Sequence, residues 1–295
     1  MHRDAAARVA GLRIWQSKVD PQPLAGGMTN HNFAVEHGGR RYFVRVGDDV
    51  PVHGIMRFAE HAASRAAAAT GISPEVVLSE PGILVLDFIE GRTLAASDIQ
   101  SRSMQQRLVP LLRRCHHELQ HHLRGPALAF WVFHVLRDYG HTLAEAGHRS
   151  SDRLGQWASA AARLEARSGK IELVFGHNDL LAANVIDDGH KLWLVDWDYA
   201  GFNSPLFDLG GLASNNDLDE ADRLFVLEAY FDRPVDDQLR LESQAMLAAS
   251  LLREAMWSMV SELYSTVEMD FVAYTEENLQ RFAAAFATFE AMESA

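Results

Sequence analysis

Residues 171–201 read IELVFGHNDLLAANVIDDGHKLWLVDWDYAG. Three short apolar runs are separated by a polar loop, HNDLLAAN, and by the turn sequence Asp187-Asp188-Gly189. Strand-length apolar runs bounded by turn residues predict strand, loop, strand, turn, strand. On this reading Asp179 lies in the loop before a β-hairpin, Asn184 follows five positions later, and Asp196 ends the hairpin's second strand. Such placement brings an amide oxygen and a carboxylate together at the end of the hairpin, with a second carboxylate beside them. Each residue taken alone also suits turn capping; the joint spacing is what carries information.

Upstream, residues 1–20 read as a short helix with Val9, Leu12 and Trp15 on one side, ended by Pro21 and Pro23. In LAGGMTNHNFAVEHGGRRYFVRV, Phe33 and Val35, then Tyr42, Val44 and Val46, alternate with their neighbours across His37-Gly38-Gly39. That is a β-hairpin. Residues 57–70 are alanine-rich and helical, closed by Gly71, and strands follow at 75–78 and 83–88. Downstream, helical periodicity dominates: about 98–122, 130–146, 152–168, 219–231, 236–265 and 275–293. The expected organisation is α+β and two-lobed, with a small β-rich lobe (1–87), a hinge (88–92) and a larger helical lobe (93–295).

Composition narrows the classes. A chain of 295 residues with 48% hydrophobic and 23% charged residues is globular in type. No apolar run approaches membrane-span length, and the first residues carry no signal-peptide core. Cys115 is alone, so no internal disulfide forms, which points to a reducing, cytoplasmic setting. Forty acidic residues against 27 basic give a net charge of −13, without the basic stripe of a nucleic-acid binder.

Two hard oxygen ligands such as Asn184 and Asp196 suit Mg²⁺, which keeps waters and takes remaining ligands from substrate phosphates. Asp179, beside the metal, is placed to accept the proton of an attacking hydroxyl. Phosphoryl transfer asks for little more than such positioning and charge neutralisation. The order His177-Asn178-Asp179, Asn184, then Asp196 after two strands is the base, Asn, Asp order of kinases.

HNDLLAANVI followed by LVDWDYAG resembles the aminoglycoside phosphotransferase and choline/ethanolamine kinase superfamily, which implies the protein-kinase-like fold. The resemblance implies Asp179 as the base, and Asn184 and Asp196 as Mg²⁺ ligands. It further implies structural roles for His177 and for Asp208, which in PLFDLG would brace the catalytic loop. LAGGMTNHNFAV is similar to the nucleotide-covering loop of choline kinases, with Gly26, Gly27, Met28, Thr29 and Asn30 approaching ATP phosphates. Arg45 would hold those phosphates in partnership with Glu60, and Phe88 and Ile89 in the hinge would meet adenine.

The late segment LLREAMWSMVSELYSTVEMDFVAY resembles the helix whose tryptophans line a quaternary-ammonium pocket in choline kinases. Trp257, Tyr199 and Glu254 are thereby implied in binding a small cationic amino alcohol, choline or ethanolamine, in a monomer or homodimer. Departures are Glu254 and Leu181, where the family often has Trp and Gln. Leu251, Leu252, Met256, Met259, Val260 and Leu263 also mark an apolar face, so core packing of Trp257 stays open. Aminoglycoside or thiamine phosphorylation, or a non-catalytic binding module, are the rival readings. His117-Glu118-Leu119-Gln120-His121 matches H-E-x-x-H, but the histidines fall opposite the helix's apolar stripe, as a solvated face does.

Overall fold

The computed structural model describes residues 2–24 and 30–294. Its β-rich lobe is a five-stranded antiparallel sheet of order β1-β2-β3-β5-β4. The strands are β1 (Gln22–Leu24), β2 (His31–His37), β3 (Arg40–Val46), β4 (Val76–Glu80) and β5 (Ile83–Asp87). Gly38 and Gly39, at φ 60° and 75°, close the β2–β3 hairpin as a turn with two left-handed residues.

Side-chain alternation gives this sheet two different faces. Phe33, Val35, Tyr42, Val44, Val46, Ile83 and Val85 form one face, covered by Ala5, Val9 and Leu12 from the amino-terminal segment. Asn32, Phe43, Arg45, Leu84 and Leu86 form the other and line the interlobe cavity. Register sets this arrangement, because Asn32 pairs with Arg45 and Arg45 with Leu84. The amino-terminal helix α1 (His2–Ala10) is shorter than periodicity predicts. Gly11 follows it, and Trp15 leaves the helix, donating its indole N–H to the Val9 carbonyl at 2.7 Å and packing on Tyr42.

Helix α2 (Arg57–Ala69) sits between the lobes. Its Ala63, Ala66 and Ala67 belong to the core of the large lobe, not to that of the sheet. The remaining small strands are β6 (Arg92–Thr93), β7 (Val174–Gly176), β8 (Val185–Asp187), β9 (Leu192–Leu194) and β10 (Gly201–Asn203). They form a three-stranded sheet, β6-β8-β9, and a pair, β7-β10. Asp196 lies two residues past β9 rather than at its end, at φ 69°.

The large lobe is built from α3 (Ala96–Ile99), α4 (Arg102–His117), α5 (Val132–Glu145), α6 (Leu154–Ala166), α7 (Pro205–Asn215), α8 (Glu220–Phe231), α9 (Asp237–Tyr264) and α10 (Phe271–Glu293). Helix α9 is its axis and packs against α5, α6, α7 and α10. A Cβ on Gly210 would lie 2.9 Å from the Leu247 nitrogen, so glycine there permits the close approach of α7 to α9. Helix α4 stops at His117, whereas periodicity ran to 122; a 3-10 turn, Leu119–His121, follows. His117 and His121 therefore do not share one continuous helix. His117 meets the Tyr230 hydroxyl at 3.3 Å, and no three His, Cys, Asp or Glu cluster as a metal site among the described residues. No helix of the described residues is long and apolar enough to cross a membrane.

Candidate active site

Strand β7 delivers the chain into the loop of His177, Asn178 and Asp179, where Asn178 takes a left-handed φ of 65°. Backbone held in that region costs about 1–3 kcal/mol and persists only when the surroundings over-determine it. Here they do. The buried Asp208 carboxylate accepts the His177 N–H at 2.7 Å and the Asn178 N–H at 2.6 Å. The Asn178 side chain donates to the carbonyls of Tyr199 and Gly201 at 3.0 and 3.1 Å, tying the loop to the segment after Asp196. His116, fully buried on α4, sits 2.9 Å from the same Asp208 carboxylate. Burial opposes ionisation of Asp208, but its bond to His116 and its other donors win, holding it below the usual carboxylate value. His177 packs against Trp197 and meets the Val195 carbonyl through Nε2 at 2.9 Å.

Asn184 closes the 3-10 turn Ala182–Asn184 and turns its amide back on the loop, donating to the Asp179 carbonyl at 2.9 Å and its carboxylate at 3.3 Å. The donor is thus spent on Asp179. Asp179 itself is pushed up to about 7, chiefly by desolvation. Arg253 pulls in the opposite direction, while Glu254, Asp196 and Asp198 add to the rise. A carboxyl poised near neutrality suits a general base.

Across the cleft, Arg45 makes an ion pair with Glu60 at 2.8 Å, with Asp196 at 2.9 Å and with Asp198 at 3.0 Å. Arg57 joins the same network, reaching Glu60 at 2.6 Å and Asp198 at 2.7 Å. Asn30 donates to Asp198 at 3.2 Å. Two guanidiniums thus meet three carboxylates where β3, α2 and the segment after β9 converge. Desolvation works against the Arg45 charge, yet Asp196, Asp198 and Glu60 outweigh it and raise its pKa. Arg45, Glu60, Phe88, Ile89, Asn184 and Asp196 all line one cavity of about 420 Å³ between the lobes. The other loop residues expected to touch nucleotide, Gly26, Gly27, Met28 and Thr29, lie outside the described residues.

Donor chemistry on the cavity wall fits a magnesium ion with bound phosphates. The Asn184 amide oxygen and the Asp196 carboxylate are hard donors, and one such pair leaves the remaining positions to phosphate and water. Asp196 keeps a quarter of its side chain exposed on that wall.

The implied acceptor residues are also adjacent, though differently engaged than an open aromatic box requires. Trp257 is only 5% exposed, with its ring 5.4 Å from His53 and 6.2 Å from Phe271, and its indole N–H donates to the Tyr199 hydroxyl at 2.9 Å. Glu254 accepts from Arg253 and from the Tyr274 hydroxyl, each at 2.9 Å. A smaller cavity of about 220 Å³ lies beside them, lined by His53, Phe130, Asp138, Tyr139, Asp198 and Tyr199. Trp257→Leu is therefore expected to cost about 1–3 kcal/mol of stability, as a buried truncation does, while leaving the ATP KM unchanged. Thermal unfolding and steady-state kinetics check this; an unchanged melting temperature would contradict the packing role.

Arg57, Asn178, His116 and Arg253 were not singled out from sequence. Only Asn178 carried a local signal, since Asn tolerates left-handed backbone.

Comparison with known proteins bears on the family and the fold. Protein LicA of Haemophilus influenzae is 27% identical over 215 residues, covering 71% of this chain and 62% of that protein's length. A solved choline/ethanolamine kinase family protein from Mesorhizobium loti is 25% identical and superposes with a TM-score of 0.77, covering 99% of both chains. Choline kinase LicA from Streptococcus pneumoniae, at 22% identity, has the same fold, with a TM-score of 0.78 over 98% of this chain and 99% of that one. The Choline/ethanolamine kinase family model matches residues 22–219, more than half of the chain and a range containing Arg45, Glu60, Asp179, Asn184, Asp196 and Asp208. With the loop of His177, Asn178 and Asp179, its Asp208 brace and the interlobe ion-pair network all inside that range, this chain belongs to the choline/ethanolamine kinase family.

Proposed function

We propose that this protein transfers the γ-phosphoryl group of ATP to the hydroxyl of a small amino alcohol of the choline and ethanolamine class. The observation that carries this reading is the convergence of Asp179, Asn184 and Asp196 at a cleft whose opposite wall presents Arg45. Asp179 accepts the acceptor's hydroxyl proton as the new O–P bond forms and the bond to the ADP oxygen breaks. Asn184 holds Asp179 through its amide and offers its oxygen to the metal. Asp196 and Arg45, paired at 2.9 Å, position charge on the phosphate side. Magnesium held by Asn184 and Asp196 would supply neutralisation of the charge that develops on the transferred phosphoryl group. Phe88 and Ile89, on the wall of the interlobe cavity, would meet the adenine ring, and the Arg41 guanidinium stands 3.8 Å from the Phe88 ring. The cavity of about 220 Å³ suits an acceptor of a few heavy atoms better than a multi-ring aminoglycoside.

ADP release and phosphoester formation with ethanolamine, choline, thiamine and kanamycin test the reading. Asp196→Ala is expected to weaken Mg·ATP binding and turnover together, because a metal ligand acts in ground and transition states alike. Unaltered magnesium dependence in that variant would remove Asp196 from the metal site. Nucleotide binding without phosphoester from any acceptor would mark a binding module instead.

A further inference from the structure

Arg57 opens α2 and is 5% exposed. It lines neither the interlobe cavity nor the smaller one, yet it is firmly held. Nη1 donates to Glu60 at 2.6 Å and to Asp198 at 2.7 Å, and Nε donates to the Asp48 carbonyl at 2.9 Å. Its backbone N–H donates to the Asp49 carboxylate at 2.7 Å. Just upstream, Val50 and Ile55 exchange both backbone hydrogen bonds, at 2.9 and 3.2 Å, so the turn that delivers Arg57 is closed on itself.

The demands on Arg45 show what such a residue is for. Its Nη1 alone is shared among Glu60, Asp196 and Asp198. Asp196 faces the cavity wall, but Glu60 and Asp198 are buried, at 1% and 7% exposure. A buried carboxylate deprived of its cation is strongly destabilising, so neither can give up Arg45 unless a second cation stays behind. Arg57 is that cation. It holds the Glu60 oxygen that Arg45 does not, Oε2 against Oε1, and shares Oδ1 of Asp198 with it. Three carboxylates face two guanidiniums here; take Arg57 away and Arg45 alone answers all three.

We propose that Arg57 is a positioning residue for the nucleotide: by staying with Glu60 and Asp198, it frees the Arg45 guanidinium for the phosphates of ATP. It acts through Arg45 and touches no substrate. This inference rests on the phosphotransfer reading above and concerns how its nucleotide side is held.

Calorimetric binding of Mg·ADP tests this without turnover. Arg57→Met is expected to weaken Mg·ADP binding by about 10- to 100-fold, as removal of one partner from a desolvated charge set does. Deleting a buried cation also lowers stability, so binding is measured well below each variant's melting temperature. Arg57→Lys keeps the charge while giving up the Nε bond to Asp48, and should retain most of the affinity. Arg57→Met combined with Asp198→Asn removes one cation and one anion together, and should recover most of what Arg57→Met loses. A double variant that binds as weakly as Arg57→Met would overturn the inference, as would a folded Arg57→Met that binds as tightly as wild type; either leaves the kinase reading standing. Absence of Mg·ADP binding to the wild-type protein would overturn both.

Discussion

Asp179→Asn is expected to lower kcat by about 10²- to 10⁴-fold, the usual contribution of a positioned acid or base, with the ATP KM nearly unchanged. The amide keeps the shape and the contact with Asn184 but cannot take the hydroxyl proton. A carboxylate serving as base is competent only when ionised, so with Asp179 in the proposed role kcat/KM should climb as pH rises through about 7. Stability runs the other way. The folded-state pKa lies above the ordinary 3.8, so the protonated carboxyl favours the folded chain at low pH. That contribution is lost as pH rises from about 4 to about 7. Relative to wild type, Asp179→Asn should accordingly gain stability over the same window, as thermal unfolding at several pH values would record. Near-normal turnover of the variant, or a stability difference independent of pH, would remove Asp179 from this role.

Asp208→Ala is expected to destabilise the protein by about 3–5 kcal/mol, the range for deleting one member of a buried, hydrogen-bonded charge set. Its carboxylate is the acceptor for two successive backbone N–H groups and the partner of a fully buried His116. Without it, those donors stay buried and unpaired, and the left-handed φ of Asn178 is held only by its own side-chain bonds. Activity should fall along with stability, because Asp179 is the next residue. Asp208→Asn separates the effects: one oxygen still accepts, but the amide nitrogen faces a donor, so an intermediate loss is expected. Denaturant unfolding measures the first quantity and steady-state kinetics the second. A variant as stable as wild type would show that the loop is held by Asn178 alone.

How legible the site was depended on how far apart its members lie in the chain. Asp179 and Asn184 are five residues apart in one loop, and their contact follows from local geometry that the spacing already encodes. Helix α7 was passed over although its signal was present, with Ser204 capping and Pro205 opening the helix. Arg57 and Asp198 are 141 positions apart, and either residue alone reads as an ordinary surface charge. Nothing local says that α2 turns its charged edge toward the segment after β9.

The β2–β3 hairpin, most of the long helices, the alternation of the sheet, the loop of His177, Asn178 and Asp179 and the family were determined by the sequence itself, because alternation, turn residues and short-range spacing act within a few residues. The tertiary structure alone decided which charges meet. It placed Asp196 beyond β9 on Arg45, spent both oxygens of Glu254 on Arg253 and Tyr274, and buried Trp257 behind Tyr199. It also set Arg253 against the ring that resemblance had assigned to a substrate cation. The physical reason is the rotation of α9 about its own axis. That rotation is set by packing against α5, α6, α7 and α10, and it selects which of the adjacent residues Arg253 and Glu254 lies over the Tyr199 ring.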